Sequence, residues 1–143
     1  IMVKRIRKHS KIIFRLRVPV SKEVLHTKSG DFPLNTAGGD RISFSVLKNE
    51  KNNIKKIENV SFEINIDNNW VWVVRYDDHG GIGLLHRHIR ISLKDESSVE
   101  SLSGIKKYKN KDFELTWIID DIKRNYMVFR KNFLKEEGLD LYS

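Results

Sequence analysis

The segment from Trp70 to Leu93 constrains the fold of this chain more than any other segment, because it has the pattern of two strands joined by a turn. Apolar and polar side chains alternate with a period of two from Trp70 to Asp77 and again from Leu84 to Leu93, as is typical of β-strands. Three glycines fall within His79–Gly83, where the chain has to reverse. We therefore predict an antiparallel hairpin here.

Other segments extend this hairpin into a sheet. Strand periodicity is also present in Lys11–Val20, Arg41–Leu47 and Val60–Ile66. One amphipathic helix is predicted over residues 113–134, because apolar residues recur there at spacings of three and four: Leu115, Ile118, Ile119, Ile122, Tyr126, Phe129 and Phe133. An antiparallel sheet of about five strands, with a C-terminal amphipathic helix packed on one face, makes an α+β fold.

The remaining segments are predicted to be irregular. At 143 residues the whole chain, 1–143, is predicted to be a single domain. Residues 1–10 form a basic lead-in, and residues 21–40 are predicted to be a long loop because glycines and Pro33 interrupt them. A second loop is predicted from Lys94 to Asn110. Asp112 is the predicted N-cap of the helix, which is expected to fray before Gly138.

Composition excludes several function classes. The chain has no cysteine, which excludes disulfides, thiolate metal sites and a thiol nucleophile. No stretch approaches the roughly eighteen consecutive apolar residues of a membrane span, so we expect a cytoplasmic protein with no membrane partner. The formal net charge is +8. This balance favours RNA or an acidic protein as a partner.

Alternation divides the hairpin into two faces. On its first strand, one face carries Trp70, Trp72, Val74 and Tyr76, and the other carries Val71, Val73, Arg75 and Asp77. On its second strand, His86, His88 and Arg90 share a face, whereas Arg87 lies with the apolar residues on the opposite face. We expect the bulky tryptophan face to pack under the helix. The open face would then carry Arg75, Asp77, His86 and His88.

The turn decides which of these residues meet. A two-residue turn at Gly80-Gly81 places Arg75 opposite His86 and Val73 opposite His88. A longer loop leaves other registers open. A slip of one residue would pair Tyr76 with His86 and reverse the relative facing of the two strands.

The residue types around this turn are those of metal-independent RNA cleavage. His86 and His88 are the predicted general base and general acid, because imidazole titrates near neutral pH. Arg75 would stabilise the charge that develops on a phosphate, and Asp77 and His79 would orient or assist the imidazoles. We predict that Tyr76, Arg87 and Arg90 contact the substrate, and that no cofactor is needed.

Three other interpretations stay open at this point. A metal-dependent phosphodiesterase or nucleotidyl enzyme could use Asp77, His79, His86 and His88 as ligands of zinc or manganese. A non-catalytic RNA- or protein-binding module could use Trp70, Trp72, Tyr76 and Arg75, with RNA bases stacking on the aromatic rings. The histidines could also be surface or hydrogen-bonded structural residues.

The chain also resembles the TumE-type toxin family of bacterial and archaeal toxin–antitoxin systems. The resemblance lies in Val73-Val74-Arg75-Tyr76-Asp77-Asp78-His79, in His86-Arg87-His88 that follows, and in the amphipathic C-terminal helix. It implies a toxin, a ribonuclease that acts on RNA, with a cognate antitoxin protein as its partner. It also implies that the functional set is Arg75, Asp77, His79, His86 and His88. The Asn and Pro that many members carry before the first histidine are absent here, where Asp78 stands alone.

Overall fold

The computed structural model describes residues 23–78, 85–94, 98–102 and 110–139. Within these ranges lie β1 (His26–Pro33), β2 (Asp40–Lys48), β3 (Ile54–Ile66), β4 (Asn69–Asp77), β5 (His86–Ile89), β6 (Ser98–Ser101) and the helix α1 (Lys111–Glu136). The strands form one antiparallel sheet in which each strand pairs with the next along the chain. The helix contacts β3 and β4. The predicted α+β fold, an antiparallel sheet with a C-terminal helix packed against it, is confirmed.

The core lies between α1 and one face of the sheet. Alternate residues of β2 and β3 point into it, so that Ile42 lies opposite Phe62 and both are fully buried. The helix contributes Ile118, Ile122 and Phe133 from its predicted apolar stripe. Burial of each such side chain stabilises the fold by about 1.5–3 kcal/mol.

The predicted loop over residues 21–40 is wrong, because β1 lies within it. Among the described strands β1 lies at the edge of the sheet, where its backbone pairs with β2 while most of its side chains stay exposed, so it needs no apolar alternation. Gly30 permits close packing there, since an added Cβ would lie 3.1 Å from the ring of Phe44. The loop predicted from Lys94 to Asn110 likewise contains β6. The basic lead-in 1–10 and the predicted strand Lys11–Val20 lie outside the described residues.

Both ends of α1 extend past the predicted bounds 113–134. Asn110, not Asp112, is the N-cap, and its side-chain oxygen accepts a hydrogen bond from the backbone N–H of Asp112 at 2.8 Å. At the other end Gly138 has φ +73°, and the N–H of Leu139 donates to the carbonyl of Leu134 at 2.7 Å. This is a Schellman closure, so the fraying expected before Gly138 is absent.

A buried polar cluster, the Asp121 cluster, ties α1 to β4 and β5. The Tyr76 hydroxyl donates to Asp121 Oδ2 at 2.5 Å, and Arg87 Nη1 donates to the same oxygen at 2.9 Å. Asn125 Nδ2 donates to the other carboxylate oxygen at 2.9 Å. Burial raises the pKa of Tyr76 far above its usual value, and the adjacent carboxylate acts in the same direction. Tyr76 therefore stays a protonated donor.

Replacement of Asp121 by alanine should destabilise the fold by about 3–5 kcal/mol, because it leaves the Arg87 charge half-buried without its carboxylate. Urea unfolding followed by circular dichroism measures this loss. Asp120→Ala, at the exposed neighbouring position of the same helix, is the matched control and should change stability by less than about 0.5 kcal/mol. Equal losses in the two variants would contradict a special role for the Asp121 cluster.

Tyr76 should also make stability fall at high pH. In the unfolded chain its hydroxyl ionises near the usual value of 10.0, whereas in the folded protein the raised pKa keeps the proton bound. The contribution of Tyr76 is therefore complete below that pH and is lost as the pH rises from it toward the raised folded value. The difference in unfolding free energy between the wild type and Tyr76→Phe should shrink between about pH 9 and about pH 11. A difference in unfolding free energy that stays constant over this pH range would show that the pKa of Tyr76 is not raised in the folded protein.

Candidate functional site

The sheet face that lies away from α1, here called the outer face, carries a polar row across its centre. Ser43 lies opposite Ser61, Ser61 opposite Arg75, and Arg75 opposite His88. Because directly paired residues share a face, these side chains form one continuous line over four strands. The row ends at the hairpin that the sequence singled out.

The β4–β5 register differs from the prediction. Arg75 lies opposite His88 and Asp77 lies opposite His86, so the predicted pairing of Arg75 with His86 is wrong. Because side chains alternate with a period of two, a register shift of two residues leaves the same residues of β4 and β5 on the same face of the sheet. The prediction that Arg75, Asp77, His86 and His88 share one face is therefore confirmed. The turn residues on which the prediction depended, 79–84, lie outside the described residues.

Asp77 lies at the centre of this group. Its Oδ2 lies 3.2 Å from His88 Nε2 and 3.9 Å from Arg75 Nε. The side chain of Asp77 is only 10% exposed, against 23% for His88 and 37% for Arg75. A carboxylate in this position favours the imidazole tautomer with its proton on Nε2, which leaves Nδ1 of His88 to exchange a proton.

A cleft of about 320 Å³ adjoins this group, lined by Glu58, Asn59, Arg75 and Asp77. Sequence reasoning missed Glu58 and Asn59. Asn59 lies opposite Ser45 and Ile57 opposite Val46, so Glu58 is the extra residue of a β-bulge. A strictly alternating pattern carries no signal for such a residue. A small ligand in the cleft would contact Arg75 and Asp77 together.

A second bulge overturns the predicted position of the tryptophans. Phe62 lies opposite Val74 but Glu63 lies opposite Trp72, so Val73 is the inserted residue on β4. The insertion reverses the facing of the strand before it. Trp72 consequently shares the outer face with Glu63, and Trp70, two residues away along β4, shares it as well. The prediction that this face packs under the helix is therefore wrong for Trp70 and Trp72, whereas Val74 and Tyr76 do lie in the core on the helix side.

Arginines stack on both indole rings. The guanidinium carbon of Arg41 lies 4.1 Å from the centre of the Trp70 ring. Those of Arg75 and Arg90 lie 4.7 Å and 4.9 Å from the centre of the Trp72 ring. Such cation–π contacts hold the arginines beside the site. Arg90, a predicted substrate contact, thus lies on the outer face.

The two other predicted substrate contacts lie elsewhere. Tyr76 is fully buried and Arg87 faces the helix, since both bind Asp121. They lie on the opposite side of the sheet from His86 and His88, so the prediction that they contact substrate there is wrong. His79 lies outside the described residues.

Asp78 belongs to a separate structural contact. Its Oδ2 accepts hydrogen bonds from Lys111 Nζ at 2.8 Å and from the backbone N–H of Ile57 at 3.4 Å. Lys111 also donates to Glu114 at 3.0 Å. Burial lowers the pKa of Lys111, but the hydrogen bonds and charges of Asp78 and Glu114 outweigh it and raise the pKa above its usual value. Asp78 therefore anchors the start of α1 and not the outer-face site.

The described residues hold no group of three or more histidine or carboxylate side chains arranged to bind a metal ion. The zinc or manganese ligands that the sequence suggested as an alternative included His79, which lies outside those residues. Asp77 and His88 are in contact, but two ligands do not make a protein metal site.

Residues 31–139 match a protein family described as a domain of unknown function, DUF7718. The chain belongs to the DUF7718 family. The match covers the described site residues and all of α1. No curated protein and no solved structure matches the chain. The description of the DUF7718 family names no activity.

A separate property concerns membranes. Within the described ranges, the helix does not combine the length and the apolar character that a membrane span requires.

The tautomer of His88 tests the geometry directly. Nitrogen NMR of the neutral ring should show the proton on Nε2 in the wild type, and Asp77→Ala should reduce this preference about tenfold because one hydrogen bond is removed. Asp31→Ala, at an exposed aspartate of β1, is the control and should leave His88 unchanged. A wild-type His88 protonated on Nδ1 would refute the proposed contact.

Proposed function

We propose that the protein is a metal-independent endoribonuclease whose site is formed by Arg75, Asp77, His86 and His88. One observation carries the proposal. The Asp77 carboxylate lies within 3.2 Å of an imidazole nitrogen of His88 and 3.9 Å of the guanidinium of Arg75, and His86 lies opposite Asp77 on the next strand. A carboxylate, two imidazoles and a cation on one surface meet the requirements of general acid–base catalysis at a phosphodiester.

The reaction follows from these side chains. His88, held by Asp77, accepts the proton of a ribose 2′-hydroxyl, and the 2′-oxygen attacks the adjacent phosphorus. His86 donates a proton to the departing 5′-oxygen, so that the products are a 2′,3′-cyclic phosphate and a free 5′-hydroxyl. Arg75 stabilises the charge on the phosphoryl oxygens. Each proton-transfer group contributes about 10²–10⁴-fold in rate.

Two further features support RNA as the substrate. The net charge of +8 favours a polyanion, because basic side chains that neutralise phosphates release condensed counterions. The site also lies on a broad sheet face, which admits a polymer more readily than an enclosed pocket does. The substrate in this proposal supplies its own nucleophile, so no cofactor is required.

We further propose that the protein acts in the cytoplasm as the toxin of a toxin–antitoxin system. This step rests on the resemblance of the Arg75–His88 region to the TumE-type family. It predicts growth arrest on expression of the protein, relieved by co-expression of a cognate antitoxin encoded beside it. Growth arrest by the wild type and not by His88→Ala would tie the toxicity to the proposed site.

The ribonuclease activity is tested by incubating the protein with RNA in the presence and absence of EDTA. We expect cleavage that resists EDTA and that falls about 100-fold or more in each of His88→Ala, His86→Ala and Arg75→Ala. His26→Ala is the matched control, because His26 is an exposed histidine on β1, at the far edge of the sheet. It should cleave RNA like the wild type.

Two outcomes would overturn the proposal. Cleavage abolished by EDTA would favour a metal-dependent phosphodiesterase. RNA that stays intact but is bound equally by the wild type and all variants would favour a non-catalytic binding module. Circular dichroism of each variant shows whether the fold is retained.

A further inference from the structure

We propose that Trp70 and Trp72, with the arginines stacked on them, form a platform on which bases of a single-stranded substrate stack beside the site. This set, Arg41, Trp70, Trp72 and Arg90, is called the stacking platform below. The inference rests on the proposed function in taking RNA as the substrate. It adds that the protein selects unpaired strands over duplexes.

The placement of the two indole rings supports this inference. Neither Trp70 nor Trp72 is among the residues that pack against the core, and both remain half-buried on the outer face. Residues two apart along a strand lie about 6.8 Å from each other, so the two rings with their arginines form neighbouring stacking positions. If Trp70 and Trp72 were paired with residues that face the helix, their rings would lie in the hydrophobic core. The bulge at Val73 places them on the outer face instead.

The arginines give the rings the character of a nucleic-acid surface. Arg41 lies over Trp70 at 4.1 Å, and Arg90 lies over Trp72 at 4.9 Å. A base stacks on a guanidinium plane as well as on an aromatic ring, so each pair extends the stacking surface. Arg41 also pairs with Glu63 at 2.7 Å, so it serves the platform by stacking, whereas the guanidinium of Arg90 can also attract phosphates. Stacking and charge together are what proteins use to bind single strands.

Arg75 joins the stacking platform to the proposed catalytic site. Its guanidinium carbon lies 4.7 Å from the centre of the Trp72 ring, and its Nε lies 3.9 Å from Asp77 Oδ2. A nucleotide whose base stacks at Trp72 therefore has its phosphate next to Arg75 and His88. Binding at the platform and cleavage at the site would be coupled through this one side chain.

The arrangement also indicates why duplexes should be disfavoured. Bases in a duplex, whether A-form RNA or B-form DNA, are stacked on each other and present only their edges, so they cannot reach an indole face. Unpaired bases can be turned outward onto side chains.

The inference is tested by binding alone, with an oligonucleotide that contains 2′-deoxy sugars and therefore lacks the nucleophile for cleavage. Fluorescence anisotropy at fixed salt should show that Trp72→Leu weakens single-strand binding about tenfold or more, and that Trp70→Leu weakens it as well. Trp72→Phe keeps an aromatic face and should restore most of the affinity. Duplex of the same sequence should bind more weakly and respond less to Trp72→Leu.

Phe113→Leu is the matched control, because Phe113 is an exposed aromatic residue at the start of α1 and lies away from the outer face. It should bind like the wild type. Wild-type affinity in Trp72→Leu would overturn the inference, as would equal losses for duplex and single strand. A loss that Trp72→Phe does not restore would show that the side chain acts through packing and would also overturn it.

The test separates this inference from the proposed function. If RNA is cleaved while Trp72→Leu binds oligonucleotide normally, the ribonuclease stands and the platform fails. If affinity depends on Trp72 while RNA stays intact, the platform stands and the ribonuclease fails.

Discussion

The buried carboxylate of Asp121 is the interaction on which the arrangement of the site depends. It binds Tyr76 from β4 and Arg87 from β5, and so holds both strands to the helix. A buried charge is expensive unless it is paired, so a one-residue slip that turned Arg87 outward would be strongly disfavoured. With Arg87 held inward, alternation places His86 and His88 on the outer face. A structural ion pair on one side of the sheet thus orients the candidate catalytic residues on the other.

Two β-bulges then adapt the outer face without disturbing the core. The insertion at Val73 keeps Val74 and Tyr76 on the helix side and moves Trp72 beside Arg75. The insertion at Glu58 places a carboxylate next to the cleft at Asp77. Bulges often occur where a strand has to aim a side chain at a ligand. Their position here, on the two strands that carry Arg75 and its neighbours, agrees with a functional outer face.

Particular residues show how far the sequence could predict this arrangement. Alternation, with the apolar residues of the second strand taken as its core face, placed Arg75, Asp77, His86 and His88 on one face, and this placement survives the register shift of two. The register itself depended on turn geometry, and the prediction at Gly80-Gly81 was wrong. Tyr76 and Arg87 were predicted to contact substrate because their residue types suit RNA, but Asp121, far away in sequence, determines where they point. The sequence did not predict β1, because an exposed strand at the edge of the described sheet needs no apolar pattern.

The sequence by itself determined the α+β class, the helix stripe and the shared face of the Arg/Asp/His group, since each follows from local periodicity and from burial of apolar side chains. Tertiary structure alone decided that Asp77 contacts His88 and Arg75, that Trp70 and Trp72 leave the core, and that Tyr76 and Arg87 enter it. The reason is that register and bulges are set by cross-strand hydrogen bonds and by pairing of buried charges. These contacts join residues distant in sequence, whose partners no local pattern specifies.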